Sequence, residues 1–165
     1  MYCAWRGTDN PWRVRMPAVP LARQRWAVTL LLATVVLEGI LGAQVREMTD
    51  EMAKFHHNMP RHTWIGELEQ SWKYLAHRSF SWAVFGSTIW AWVFAVRHRP
   101  EGPGWVERSV LAIVLAQMVL GVVMSQIHIY SWVQVLHVGL AAVLLSLVWL
   151  WFFGVRACGE QPRRS

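Results

Sequence analysis

The sequence predicts an all-α integral membrane protein: a four-helix bundle in which the helices run alternately up and down and form two repeated hairpins. The composition is 55% hydrophobic and only 16% charged, and the chain contains four long apolar runs and a weak internal repeat. A soluble domain of this length carries more charge, and a transmembrane helix needs about 20 mostly apolar residues.

Four segments meet that length requirement, and they cover residues 27–45, 72–96, 106–127 and 132–153. The chain therefore divides into a basic tail at 1–26, one transmembrane domain at 27–153 and a second tail at 154–165. The first tail has no apolar stretch before Trp26, so it is not a cleavable signal peptide.

The distribution of basic residues predicts the orientation. Arginines cluster in both tails and in the loop between the second and third segments, whereas the loop at 46–71 has three basic residues against five acids. This is the positive-inside pattern, which places both termini in the cytoplasm and the protein in the cytoplasmic (inner) membrane. The net charge of +6 therefore reflects topology and lipid headgroups, and no nucleic-acid partner is expected.

A Glu/Gln-x-x-Leu-Gly motif begins at Glu38 in the first segment and again at Gln117 in the third. The second and fourth segments carry His77 and His137, each about five residues after the segment begins. Both segments run in the same direction, and at a rise of about 1.5 Å per residue the two histidines lie at nearly equal depth.

A carboxyl inside the membrane is protonated or paired. Glu38 either relays a proton or, as we prefer, hydrogen-bonds Gln117.

Two neutral imidazoles facing each other inside a bundle are suitable ligands for a six-coordinate heme iron. We interpret His77 and His137 as such ligands. The alternative is a pair of buried histidines that hydrogen-bond across helices. Arg78 follows His77, and Arg46 ends the first segment on the same side, so both are candidates to bind the heme propionates. For Arg46, snorkelling at a helix end explains the residue equally well.

Other candidates for metal or redox chemistry are less specific. His56, His57 and His62 lie with Met52 and Met59 in the first loop, a composition that suits copper. No fixed spacing supports a site, and a solvated loop is the preferred interpretation. Cys3 and Cys158 fall on the reducing side, so no disulfide is expected, and the lack of a Cys-x-x-Cys-His motif excludes covalent c-type heme.

Three runs together resemble the heme A synthase family: residues 39–47, residues 75–81, and residues 117–121 followed by Leu136 and His137. The resemblance covers 27–153, half of a usual member, which has eight helices in two homologous halves. The family oxidises a methyl group of heme O to the formyl group of heme A during cytochrome oxidase assembly. The resemblance implies that His77 and His137 are axial ligands and that Arg78 and Arg46 neighbour the heme.

The chain departs from the family pattern in ways that make it most like the C-terminal, cofactor-binding half. It has one half; Tyr74 stands where the substrate-binding half has a glutamate; and no cysteine pair occurs at 46–71. The resemblance therefore implies heme b as cofactor, with heme O and heme A as possible substrate and product. It also implies a homodimer, or pairing with a second half-length chain. Tyr74 or a carboxylate such as Glu47 would handle protons.

Three functions remain in competition. The first, which we adopt, is a heme A synthase-family oxidoreductase acting on a heme methyl group as a dimer. The second is a non-catalytic b-type cytochrome that transfers electrons within a larger membrane complex, which Tyr74 and the missing cysteines favour. The third is a structural bundle without heme, against which the paired histidine and arginine positions argue.

Overall fold

The computed structural model describes residues 12, 14, 17–57, 59–60, 63–99, 101–126 and 131–157. These residues form five α-helices: α1 (Ala18–Phe55), α2 (Ile65–Gln70), α3 (Trp72–His98), α4 (Trp105–Gln126) and α5 (Ser131–Arg156). Within the described ranges there is no strand, and α1, α3, α4 and α5 are long and apolar enough to cross a membrane. The predicted all-α membrane fold is therefore confirmed.

The four long helices form a ring in which each packs against two neighbours. α1 packs on α3 and α5, and α4 packs on α3 and α5, so α3 and α5 lie diagonally across the bundle. The Arg25 guanidinium near the start of α1 donates to the carbonyl oxygens of Val155 and Arg156 at the end of α5, over 3.0 and 3.3 Å. We call this end of the bundle the terminal end and the opposite end the distal end.

α1 is longer than the apolar run that predicted it. It begins at Ala18 and continues past residue 45 to Phe55. In this extension the side chains of Arg46 and Asp50 pair over 2.8 Å, one helical turn apart. His57, with a φ of 45°, ends the helix in the left-handed conformation that often follows a helix C-terminus. Hydropathy predicts only the membrane-crossing part of a helix, so it does not predict the polar residues that continue α1 beyond that part.

The short helix expected just before the second segment is present as α2. Ser71 interrupts the helical path with an extended backbone, and its hydroxyl oxygen accepts a 3.2 Å hydrogen bond from the Tyr74 backbone N–H. This is the usual N-cap interaction and starts α3. Trp64 and Leu68 are buried beside α2, which contacts both α1 and α3.

The hydrophobic core lies in the terminal half of the bundle. Its buried helical members come from residues 21–35 of α1, 84–95 of α3, 106–114 of α4 and 144–155 of α5. Along the remaining, distal parts of these four helices only Thr49 and Val133 are buried among the described residues. Side chains are therefore buried mainly at the terminal end, and few are buried towards the distal end.

Polar contacts also hold the terminal half together. The Gln24 side-chain amide donates to the Ala91 carbonyl over 3.3 Å, which joins α1 to α3. Between α3 and α4, the Arg99 guanidinium pairs with the Glu107 carboxylate, and both side chains are buried. Gly102, with a φ of 69°, makes the turn between these two residues in a conformation that glycine adopts without strain.

Candidate functional site

His77 lies on α3 with one edge of its imidazole ring against α1. A Cβ atom at Gly42 would lie 3.3 Å from the Cε1 atom of His77 and 3.7 Å from its Nδ1. One turn earlier on α1, the Glu38 Oε1 atom lies 3.1 Å from the same Nδ1. Residues four apart occupy one helical face, so Glu38 and Gly42 together form the surface that receives the ring.

The Glu38 and His77 side chains are near each other, but each has a buried polar atom without a hydrogen-bond partner. Their relative exposures are 17% and 24%, respectively, so both lie between helices without being sealed in the core. Nδ1 of His77 is at ion-pair distance from the carboxylate but is not aligned for a hydrogen bond, and Glu38 Oε2 has no partner. A small rotation of either side chain would align the pair.

His137, on α5, is held through its backbone. The Gln117 side-chain amide of α4 donates to the His137 carbonyl oxygen over 2.7 Å, while Nδ1 of the imidazole is buried without a hydrogen-bond partner. His137 and His77 lie on α5 and α3, which are diagonal across the ring of helices. Both predicted ligands therefore lie in the distal half of the bundle, on helices opposite each other.

The expected hydrogen bond between Glu38 and Gln117 is wrong. Each of these residues instead contacts the histidine of its own hairpin, Glu38 at the ring of His77 and Gln117 at the backbone of His137. The physical reason is the ring arrangement, in which α1 neighbours α3, α4 neighbours α5, and α1 and α4 are diagonal. The repeated motif thus places each of these residues against the histidine on the other helix of its own hairpin, although the contacted atoms differ.

Buried polar atoms without partners concentrate in the distal half. Among the described residues, five lie there: Glu38 Oε2, Gln44 Oε1, His77 Nδ1, Gln117 Oε1 and His137 Nδ1. Three others, Gln24 Oε1, Glu107 Oε2 and Trp151 Nε1, lie in the terminal half. A buried polar atom without a hydrogen bond is costly, and more so in a membrane. The two unpaired histidine nitrogens among them suit a bound group that brings polar atoms or a metal of its own.

A family model described as cytochrome oxidase assembly protein (COX15-CtaA) matches residues 2–149. The chain belongs to the heme A synthase family. Searches among curated proteins and among solved structures gave no significant match. Family membership, with four membrane-spanning helices, makes this a multi-pass membrane protein with a heme A synthase-like role in cytochrome oxidase assembly.

The other residues assigned from the resemblance to heme A synthases lie on α1 and α3, and none makes a side-chain hydrogen bond or ion pair with a histidine in the described part of the chain. Arg78 and Glu47 are exposed, and their side chains make no hydrogen bond or ion pair within the described part of the chain. Arg46 is exposed and paired with Asp50. Tyr74 is half-buried one turn before His77; its backbone N–H donates to Ser71, and its hydroxyl makes no hydrogen bond in the described part of the chain.

One loop histidine of this heme A synthase-family chain, His56, makes local side-chain contacts. His56 lies 3.3 Å from the Glu67 carboxylate and stacks on Trp64, with ring centroids 5.7 Å apart. The described residues contain no group of three or more His, Cys, Asp or Glu side chains placed to hold a metal ion. His62, Cys3 and Cys158 lie outside the described residues.

Sequence reasoning missed Glu38 as the neighbour of His77 and Gly42 as the residue that makes room for the ring. The available signal was their spacing of four residues on one segment, combined with the repeat that aligns Glu38 with Gln117. That spacing placed both residues on one helical face.

Proposed function

We propose that this protein binds heme through His77 and His137 and takes part in the oxidation of heme O to heme A, as an oxidoreductase acting on a heme methyl group. One observation carries the proposal: the two histidines lie on helices that are diagonal across the bundle, in the half where few side chains are buried, and Nδ1 of each ring is buried without a hydrogen-bond partner. Membership of a family that converts heme O to heme A supports the reaction class.

The residues present suit a heme. His77 and His137 would hold the iron from two diagonal helices, and a bound heme b would supply one-electron redox chemistry. Arg78, exposed and without a charged partner among the described residues, would bind a propionate. Arg46 would do the same after giving up Asp50, at little cost because exposed ion pairs contribute about 0–1 kcal/mol.

Two groups are candidates to accept protons. Tyr74 lies three residues before His77 on α3, so the two side chains share a helical face. Glu47 lies on the distal part of α1 and is exposed. We propose that one of them takes the proton released during oxidation. Substitution of each residue, Tyr74→Phe and Glu47→Gln, followed by measurement of heme A formation, identifies which one acts.

We propose assembly as a homodimer, or with a second four-helix chain, in the cytoplasmic membrane with both termini in the cytoplasm. Eight helices are typical of the family that this chain resembles, and the positive-inside pattern supports the orientation. Light scattering of the detergent-solubilised protein gives the mass of the assembly. A mass of two protomers supports the homodimer, and a monomer without a partner chain contradicts both forms of the assembly.

A b-type cytochrome that only transfers electrons is the second candidate. It is favoured by the surroundings of His77, where neither Tyr74 nor Glu47 makes a side-chain hydrogen bond or ion pair among the described residues. A bis-histidine heme of this kind needs no proton acceptor at the methyl group.

Extraction of the pigments from the purified protein separates these functions. The protein is produced in a host that makes heme O, and the extracted hemes are identified by chromatography and pyridine hemochrome spectra. Heme B with heme O or heme A supports the proposed function. Heme B alone overturns the synthase and leaves the electron-transfer protein, and protein without any heme overturns both.

A further inference from the structure

The two histidines have chemically different neighbours at equivalent positions of the repeat. At His77 the neighbour is the carboxylate of Glu38, 3.1 Å from ring atom Nδ1. At His137 it is the amide of Gln117, which is used on the backbone carbonyl and leaves Nδ1 of that ring without a partner. Among the described residues, His77 therefore has an acidic side chain at ion-pair distance from its ring, and His137 does not.

We propose that Glu38 is a positioning residue that accepts a hydrogen bond from Nδ1 of His77 and thereby lowers the reduction potential of a heme bound at Nε2. This inference rests on the proposed heme binding and extends it to a residue that does not touch the iron. A histidine that binds a metal through one ring nitrogen usually donates its other N–H to a carboxylate or carbonyl, which fixes the tautomer and makes the ligand more basic.

The geometry at α1 favours this tautomer. The Nδ1–Cε1 edge of the His77 ring faces Gly42 and Glu38, which leaves Nε2 as the nitrogen for iron. With iron at Nε2, the ring proton must be on Nδ1. Nδ1 then becomes a donor beside Glu38 Oε1, and the two atoms are already within hydrogen-bond distance although not aligned.

The surroundings of the pair make it effective. Glu38 Oε2 is buried and has no hydrogen-bond partner, so no neighbouring donor among the described residues competes for the carboxylate. Electrostatic effects are larger between helices in a membrane than in water. A more basic imidazole stabilises ferric iron over ferrous iron and shifts the potential downward.

The test compares Glu38→Gln with Glu51→Gln in the detergent-solubilised, heme-loaded protein. Glutamine has the shape of glutamate and stands at the equivalent repeat position, Gln117, so E38Q removes the charge with little change in packing. Glu51 is exposed on the distal part of α1 and provides the matched control. Heme content, the midpoint potential and the ferric electron paramagnetic resonance spectrum are measured for each variant.

We expect E38Q to retain heme and to shift the ferric–ferrous equilibrium about tenfold towards the ferrous form, which is about 59 mV for one electron. The g values should move with the change in ligand basicity. E51Q should match the wild type. Glu38→Asp, which keeps a carboxylate, should bring the potential back towards the wild-type value.

Two results overturn this inference alone: an unchanged potential in E38Q, or a loss of heme in E38Q with an unchanged potential for the heme that remains. The second result would mean that Glu38 only supports the fold. Wild-type protein that binds no heme overturns the proposed function as well, so the two failures are distinguishable.

Discussion

The terminal and distal halves of the bundle use the same four helices for different purposes. In the terminal half, buried apolar side chains fill the space between helices, Arg99 pairs with Glu107, and the Gln24 amide nitrogen donates to the backbone, although three buried polar atoms there have no partner. In the distal half, few side chains are buried and several buried polar atoms have no partner. The packing of the terminal half stabilises the fold, whereas the distal half is less stable and can bind a ligand.

The largest loss of stability should follow from Trp151→Ala. Trp151 is completely buried in the terminal core, and removal of a buried tryptophan side chain costs about 3–5 kcal/mol. Unfolding in a denaturing detergent measures the change. Trp90→Ala is the control, because Trp90 is 48% exposed on α3 and should lose far less. Equal losses in the two variants would contradict the location of the core.

The next largest loss of stability should follow from Arg99→Met, which leaves the buried Glu107 carboxylate without its partner. Breaking such a pair from one side costs about 3 kcal/mol or more, whereas replacing both residues by apolar ones is often nearly neutral. The double variant Arg99→Met with Glu107→Leu should therefore recover most of the stability in the same unfolding assay. If the single and double variants were equally unstable, the loss could not be attributed to the unpaired Glu107 carboxylate.

In the distal half, Gly42→Val should affect ligand binding more than stability. The new side chain would displace the His77 ring, because even a Cβ atom at this position lies 3.3 Å from Cε1. We expect heme affinity to fall about tenfold, which corresponds to about 1.4 kcal/mol. Gly39→Val is the control, since a Cβ there meets nothing within 4 Å. Equal heme binding by the two variants would remove the steric role of Gly42.

The smallest effect should come from Thr34→Val, which removes a 3.0 Å hydrogen bond between the Thr34 and Ser87 hydroxyls across α1 and α3. Hydrogen bonds of this kind in membrane proteins contribute about 0.6 kcal/mol on average. Thr29→Val is the control, because the Thr29 hydroxyl donates to Arg25 within the same helix. A double-mutant cycle with Ser87→Ala isolates the interhelical contribution, and a coupling energy of zero would contradict it.

The sequence predicted the fold well where hydrophobicity decides the structure. The second, third and fourth segments differ from α3, α4 and α5 by three residues or fewer at each boundary, and α2 lies where the short helix was expected. It failed for α1, whose polar extension to Phe55 is stabilised by local contacts such as Arg46–Asp50. Hydropathy does not report such contacts.

At the site, the sequence repeat predicted which residues occupy equivalent positions, but it did not predict which residues contact each other. Glu38 and Gln117 occupy equivalent positions, and the sequence alone suggested that they pair with each other. The ring order of helices decides instead that each faces the histidine of its own hairpin. The Arg99–Glu107 pair was also missed, because a charged residue near a segment end indicates topology before it indicates a partner.

The most direct test of the central claim is the ferric electron paramagnetic resonance spectrum of the heme-loaded protein, compared among the wild type, His77→Ala, His137→Ala and His98→Ala. His98 is exposed at the terminal end of α3 and stacks on Phe94, so it provides the control. The account predicts a low-spin signal typical of bis-histidine ligation in the wild type and in H98A, and its loss in both H77A and H137A. A wild-type signal that persists in either of those two variants would contradict the account.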